Sequence, residues 1–204
     1  MIEKLTKMIY SNSRMELEFF MHLPSLYRNG NSDTARVQSY PSLYLRYKKN
    51  AKLSEAYDYN KARYRITPSN LYDVVKLFNT AVSWLYTSKY EDLFLTDDNN
   101  QLIFNADYQK LSAITPRGMF DQDVMQVVPA VIRFGDKAYE GVHLYINTST
   151  YCIPLTYREV GMLFNILKDF RFSSEMTSIL QAYQIALAQN RFGQIKQNNG
   201  TPFD

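Results

Sequence analysis

Along much of this chain apolar residues alternate with polar ones, and twice the spacing changes from two to three and four. In RMELEFFMHL (14–23), Met15, Leu17 and Phe19 fall on one side and Glu16 and Glu18 on the other, the period of a half-buried strand. In SLYLRYKK (42–49), Leu43, Leu45 and Tyr47 alternate with Tyr44, Arg46 and Lys48. AYDYNKARYRI (56–66) keeps Tyr57 and Tyr59 in phase, then sets Arg63 and Arg65 against Tyr64 and Ile66. Pro68 ends that strand, because it cannot donate to a ladder, and Ser69 or Asn70 can cap a helix start. From there Leu71, Val74, Phe78, Val82 and Leu85 recur at helical spacing.

The sequence then repeats itself. EDLFL (91–95) and LIFNADY (102–108) predict strands joined by the polar turn TDDNNQ, and 124–134, 138–147 and 150–154 predict three more. Gly135-Asp136-Lys137 and Asn147-Thr148-Ser149 supply hairpin turns between the last three. Thr156 with Glu159 forms a capping box, and Val160, Leu163, Phe164 and Leu167 give the next helix its stripe, with an end near Phe170. Set without a gap, RYRITPSNLYDVVKLFN (63–79) matches STYCIPLTYREVGMLFN (149–165): Pro68 meets Pro154, Val74 meets Val160, and Leu77-Phe78-Asn79 meets Leu163-Phe164-Asn165. A last helix is expected over 173–192, burying Met176, Ile179, Leu180, Tyr183 and Leu187. Residues 1–13 read as a short helix or loose arm, 24–39 as a long exposed loop and 193–204 as a mobile tail.

The expected fold class is therefore α+β: two tandem antiparallel sheet-plus-helix (ββββα) units, packed with pseudo-twofold symmetry, and a C-terminal helix. The expected boundaries are 1–90, 91–170 and 171–204, within one compact domain. With 204 residues, 46% of them hydrophobic and 21% charged, the composition is that of a soluble globular protein. No apolar run is long enough to span a membrane, and Glu3, Glu16 and Glu18 interrupt any signal-peptide core, so a cytoplasmic location is expected (host cytoplasm, if the source is viral). A single cysteine, Cys152, fits a reducing compartment.

Charge adds what periodicity cannot. Residues 42–65 hold seven cations against two carboxylates, although the whole chain carries only +3. Tyr is unusually common at 17 residues. A single strand of nucleic acid asks for this mixture, with cations for phosphates and flat rings for unstacked bases. The candidate phosphate contacts are Arg46, Lys48, Lys49, Lys52, Arg63 and Arg65, and the candidate stacking residues are Tyr44, Tyr57 and Tyr59. The second copy is electrically neutral, with Tyr139, His143 and Tyr145 in phase. Other chemistry is sparse. Asp97, Asp98 and Asp107 read as turn residues rather than a metal cluster, His22 as a core or edge residue, and Cys152 as a buried small side chain. No phosphate loop, dinucleotide fingerprint or nucleophile signature occurs, so no enzyme, metal or cofactor is expected.

The strand-helix order and duplication over roughly 14–170 resemble the Whirly/PC4-like single-stranded-DNA-binding fold. The KGKAAL stretch that Whirly proteins use for assembly and binding is absent from this sequence, and the basic stretch closest to it is LRYKKNAKL (45–53). The resemblance implies single-stranded DNA binding and homo-oligomers. On this reading the chain is a non-enzymatic single-stranded nucleic-acid-binding protein serving replication, recombination or transcription, with proteins of those processes as further partners. Its Asn, Lys and Tyr usage suits an AT-rich genome, that of a phage or low-GC bacterium. The alternative is a protein-interaction or assembly module, viral structural or regulatory, using the Tyr-rich sheet surface.

Overall fold

The structure, a computed structural model, describes residues 4–22, 41–48, 62–116 and 124–198, with side chains described except at Lys4, His22, 148–149 and 187–198. The first sheet is a meander of β1 (Lys4–Ser11), β2 (Met15–His22), β3 (Ser42–Tyr47) and β4 (Arg63–Ile66), adjacent in that order. Helix α1 (Leu71–Tyr86) comes next, then a separate hairpin of β5 (Phe94–Thr96) and β6 (Leu102–Phe104). The second four-stranded sheet comprises β7 (Ala113–Ile114), β8 (Met125–Phe134), β9 (Lys137–Ile146) and β10 (Thr148–Thr156), adjacent in the order β10-β9-β8-β7. Helices α2 (Tyr157–Asp169) and α3 (Phe172–Asn198) complete the α+β fold.

Several expectations change. Residues 4–11 are an edge strand rather than a helix or loose arm, because Thr6, Ile9 and Tyr10 favour strand and the segment gives β2 a neighbour. The second sheet takes its fourth strand from β7, while β5 and β6, among the described residues, pair with each other in a sheet of two. Residues 193–198 (GQIKQN) continue α3, since Gln194, Lys196 and Gln197 favour helix, the Ala- and Leu-containing helix before them is already formed, and no proline interrupts it. The segment 24–39, expected as a loop, and residues 199–204 lie outside the described residues.

Two prolines sit inside strands, and each has a topological reason. Pro154 lies on β10, the outer strand of its sheet. Pro129 lies on β8 beyond the two residues that pair with β7, where β8 is itself an edge.

The repeat holds in the helices and slips in the strands. Both helices start at matched positions, Leu71 and Tyr157. The same offset sets Arg65 against Tyr151 and Ile66 against Cys152, yet Ile66 and Tyr151 are buried while Arg65 and Cys152 are half-exposed. β4 leaves its sheet at Ile66 and turns through 67–70, whereas β10 runs directly into α2. That turn, absent from the second copy, accounts for the change of phase.

The chain falls into two units: Met1–Lys7, Phe20–Pro41 and Arg171–Asp204 in one, Met8–Phe19 and Ser42–Phe170 in the other. In the first, Lys7 pairs with Glu175 of α3 at 2.6 Å, and among the described side chains of α3 Ile179 is buried while Met176, Leu180 and Tyr183 are half-exposed; the side chain of Leu187 lies outside those described. The second holds the main core. Met15, Leu17, Phe19, Leu43, Leu45 and Ile66 point inward from the first sheet, and Met125, Val127, Val142, Leu144, Ile153 and Leu155 from the second. Both α1 and α2 lie against the second sheet and against each other, so the helices do not each cover their own sheet. Val74, Leu77, Phe78, Ala81 and Trp84 form the buried face of α1, a stripe turned away from the expected Val82 and Leu85. Thr156 and Glu159 make the expected capping box, and Glu159 also accepts from Asn12 and Arg14 at the β1–β2 turn.

Candidate nucleic-acid interface

The β3–β4 ladder sorts the candidate residues. Leu43 faces Ile66 and Leu45 faces Tyr64 on the buried side; Tyr44 faces Arg65 and Arg46 faces Arg63 on the other. Period-2 alternation thus delivers one ring and three guanidinium groups to a single outward face. Arg63 lies over the Tyr44 ring, 4.8 Å from its centroid, and Arg65 Nε donates to Ser42 Oγ at 2.9 Å. Of the other candidates, Lys48 is described, and Lys49, Lys52, Tyr57 and Tyr59 lie outside the described residues.

The neighbouring strand changes the charge of this face. Glu16 and Glu18 alternate outward on β2, and Arg46 donates to both, at 3.4 and 3.1 Å. Lys48 lies 3.4 Å from Glu16 and donates to Ser11 at 2.7 Å. The Arg46 side chain is only 15% exposed, so it belongs to a local ion-pair network more than to an open phosphate site. A charge count over 42–65 cannot include the two carboxylates. The alternation at 14–23 puts them on the polar side, but only the pairing of β2 with β3 sets them beside Arg46.

The outer edge of β4 is also occupied. Tyr47 N donates to Ala62 O at 2.8 Å, which turns Ala62 and its alternates Tyr64 and Ile66 toward β3. The carbonyls of Arg63 and Arg65 therefore point away from the sheet. Each accepts from an asparagine side chain, Arg63 from Asn147 Nδ2 at 2.9 Å and Arg65 from Asn70 Nδ2 at 3.0 Å. Asn70 is the N-cap residue of α1, yet its side chain makes no cap bond and accepts from Thr67 N at 2.7 Å. The sequence offers Asn70 as a cap and Asn147 as a turn residue, and neither as a partner of the arginines.

On the second sheet, Tyr139, His143 and Tyr145 do share a face, with Cys152 opposite Tyr145 and Pro154 opposite His143. Cys152 is half-buried there rather than a core residue. The His143 and Tyr145 rings lie 6.1 Å apart, edge to face. At the hairpin end Phe134 packs on Tyr139 at 5.9 Å, and Arg14 sits over Phe134 at 4.6 Å. Burial lowers the pKa of His143 below 6.5 and raises that of the Cys152 thiol, although a Tyr145 hydrogen bond opposes the latter. This disfavours a reactive thiolate. Above pH 6.5 both folded and unfolded chains hold His143 neutral; below it the unfolded chain takes up a proton that the folded chain resists, so stability falls with pH. His143→Gln should flatten that acid limb when denaturant midpoints are compared from about pH 8 to about pH 5; an unchanged limb would assign it to other groups.

Asp97 forms the expected turn, its Oδ1 accepting from Asn99 N at 2.9 Å and Gln101 N at 2.8 Å. Among the described residues no group of three His, Cys, Asp or Glu side chains is placed to hold a metal ion, and no helix is long and apolar enough to cross a membrane.

No protein-family model matches the chain, and no curated protein matches it. A solved structure similar to it, WHY1 from Arabidopsis thaliana, is 11% identical over 95% of this chain and 94% of its own, with a TM-score of 0.26. At that superposition the likeness carries no argument about fold or function.

Proposed function

We propose that this protein binds single-stranded nucleic acid, DNA in the first instance, through the outward face of the β3–β4 ladder, and that it does so without catalysing a reaction. The observation that supports this most is Arg63 lying over Tyr44, with Arg65 paired opposite the same tyrosine. A guanidinium held over a ring puts a cation that attracts phosphates beside a flat surface on which bases stack. Tyr44, Arg63 and Arg65 carry the reading. Arg46 and Lys48 contribute through a network in which a phosphate competes with Glu16 and Glu18. A service to replication, recombination or transcription, in the cytoplasm and as a homo-oligomer, fits such binding.

Fluorescence anisotropy with a labelled oligothymidine tests it. Affinity should fall as salt rises, with a log–log slope of about −0.7 per phosphate engaged. The double variant Arg63→Ala, Arg65→Ala should weaken low-salt binding by roughly tenfold or more and make the slope shallower by about 1.4. Tyr44→Ala should remove about 1–3 kcal/mol of stacking. No binding at low salt, or a double variant that binds like the parent, sinks the proposal.

The ion pairs of Glu16 and Glu18 with Arg46 and Lys48 favour a second reading, a protein-interaction or assembly module. A face of both signs suits a protein partner as well as a polyanion. Light scattering would favour it by showing a large, salt-resistant oligomer free of nucleic acid, and a raised 260/280 absorbance ratio in the purified protein would count against it.

A further inference from the structure

We propose that Asn70 and Asn147 are positioning residues for the binding face, each holding one arginine of β4 through its backbone carbonyl; the claim rests on the nucleic-acid reading above. β4 has four residues and, among the described residues, one ladder partner, β3, so half of its backbone groups face away from that ladder. The two outward carbonyls are those of Arg63 and Arg65, and asparagine amides occupy both, at 2.9 and 3.0 Å. Neither amide is a loose surface group. Asn147 has φ of 58°, a left-handed conformation that asparagine tolerates. Its backbone N donates to Val124 O at 2.7 Å, and its Oδ1 accepts from Val124 N at 2.8 Å. The side chain is thus clamped at the start of β8, with Nδ2 directed at β4. Asn70 is fixed at the start of α1 by Thr67 N. One arginine is tied to the second sheet and the other to the first helix.

This placement has two consequences. An outer strand with its carbonyls taken is a poor template for strand addition by another chain. A short edge strand would otherwise fray, and Arg63 would lose its place over Tyr44. Asn70 and Asn147 need touch no nucleic acid to act; they set where the guanidinium groups stand.

Asn147→Gly keeps the backbone conformation and deletes the amide. Asn147→Asp keeps the acceptor for Val124 N and replaces only the donor facing Arg63. The first readout requires no nucleic acid. A proton over an aromatic face is shifted upfield, so the Arg63 Nε–H resonance, assigned by its loss in Arg63→Lys, should be shifted upfield in the parent and return in both Asn147 variants. If it stays upfield in both, the proposal is overturned. The second readout is a cycle on oligothymidine binding. Asn147→Gly should weaken the parent by roughly three- to tenfold, but Arg63→Ala by less than about twofold. Equal weakening in both backgrounds indicates general loosening and overturns the proposal. Asn70→Asp with Arg65→Ala forms the matching cycle. If Asn147→Gly does not fold, Asn147→Asp supports both readouts. If the parent binds no oligonucleotide, the function proposed above falls while the resonance still decides the positioning.

Discussion

Gly141→Ala should destabilise the protein by about 3 kcal/mol or more, near the upper end of what overpacking costs. Gly141 lies within β9, opposite Ala130 of β8 and Thr156 of β10. A Cβ there would lie 2.1 Å from the Leu155 carbonyl oxygen and 2.7 Å from Ile132 Cγ1. The first of these neighbours is backbone, so no rotamer change relieves it, and the second is fully buried. Either β10 shifts away from β9 or Ile132 moves out of its site. A chain of this length loses roughly 2–4 °C in Tm per kcal/mol, which puts the expected drop at about 6–12 °C. Gly135→Ala is the control. It has φ of 58° and nothing within 4 Å of a new Cβ, so it should cost only backbone strain of about 1–2 kcal/mol. Chemical denaturation of the two variants compares them directly. Equal losses would mean that strand packing at Gly141 relaxes more freely than its neighbours suggest.

Phe78→Ala should cost about 3–5 kcal/mol, while Phe164→Ala, its counterpart in the repeat, should cost roughly 1 kcal/mol. Phe78 is fully buried on α1, where both α2 and the second sheet close over the helix. The repeat predicts the same burial for Phe164. It is half-exposed instead, lining a groove with Val82 and Met162, with Lys168 Nζ 5.7 Å from its ring centroid. Deleting Phe78 leaves a cavity on all sides, whereas deleting Phe164 mostly widens an existing groove. Matched urea denaturation curves with unchanged slopes check this, and a Phe164 loss as large as that of Phe78 would show that the two copies pack equivalently after all.

These contrasts show how far periodicity reads a duplicated fold. Val74 and Val160, and Leu77 and Leu163, are buried as pairs because each helix must hide a stripe whatever it lies against. Phe78 and Phe164 part company because both helices pack on one sheet, an asymmetry that no local spacing encodes. The candidate interface divides in the same way. That Tyr44 and Arg46 lie on one side of β3, and Arg63 and Arg65 on one side of β4, comes from alternation alone. That Tyr44 stands opposite Arg65, with Arg63 over its ring, requires the register of β3 on β4.

Local sequence is enough for the α+β class, the two sheet-and-helix passages, the capping box at Thr156 and Glu159, and the polar sides of β2, β3 and β4. All of these depend on residues within a few positions of one another. Tertiary packing was needed to make β1 the completing strand of the first sheet and β7, not β5 or β6, that of the second. It also makes Glu16 and Glu18 share the charge of Arg46 and Lys48, and sets Asn70 and Asn147 on the carbonyls of Arg65 and Arg63. The Asn70–Arg65 bond and the β1–β2 hairpin are local, but the others arise where strands or turns distant in the chain meet, and the energy of such a meeting comes from burying faces together rather than from any local preference.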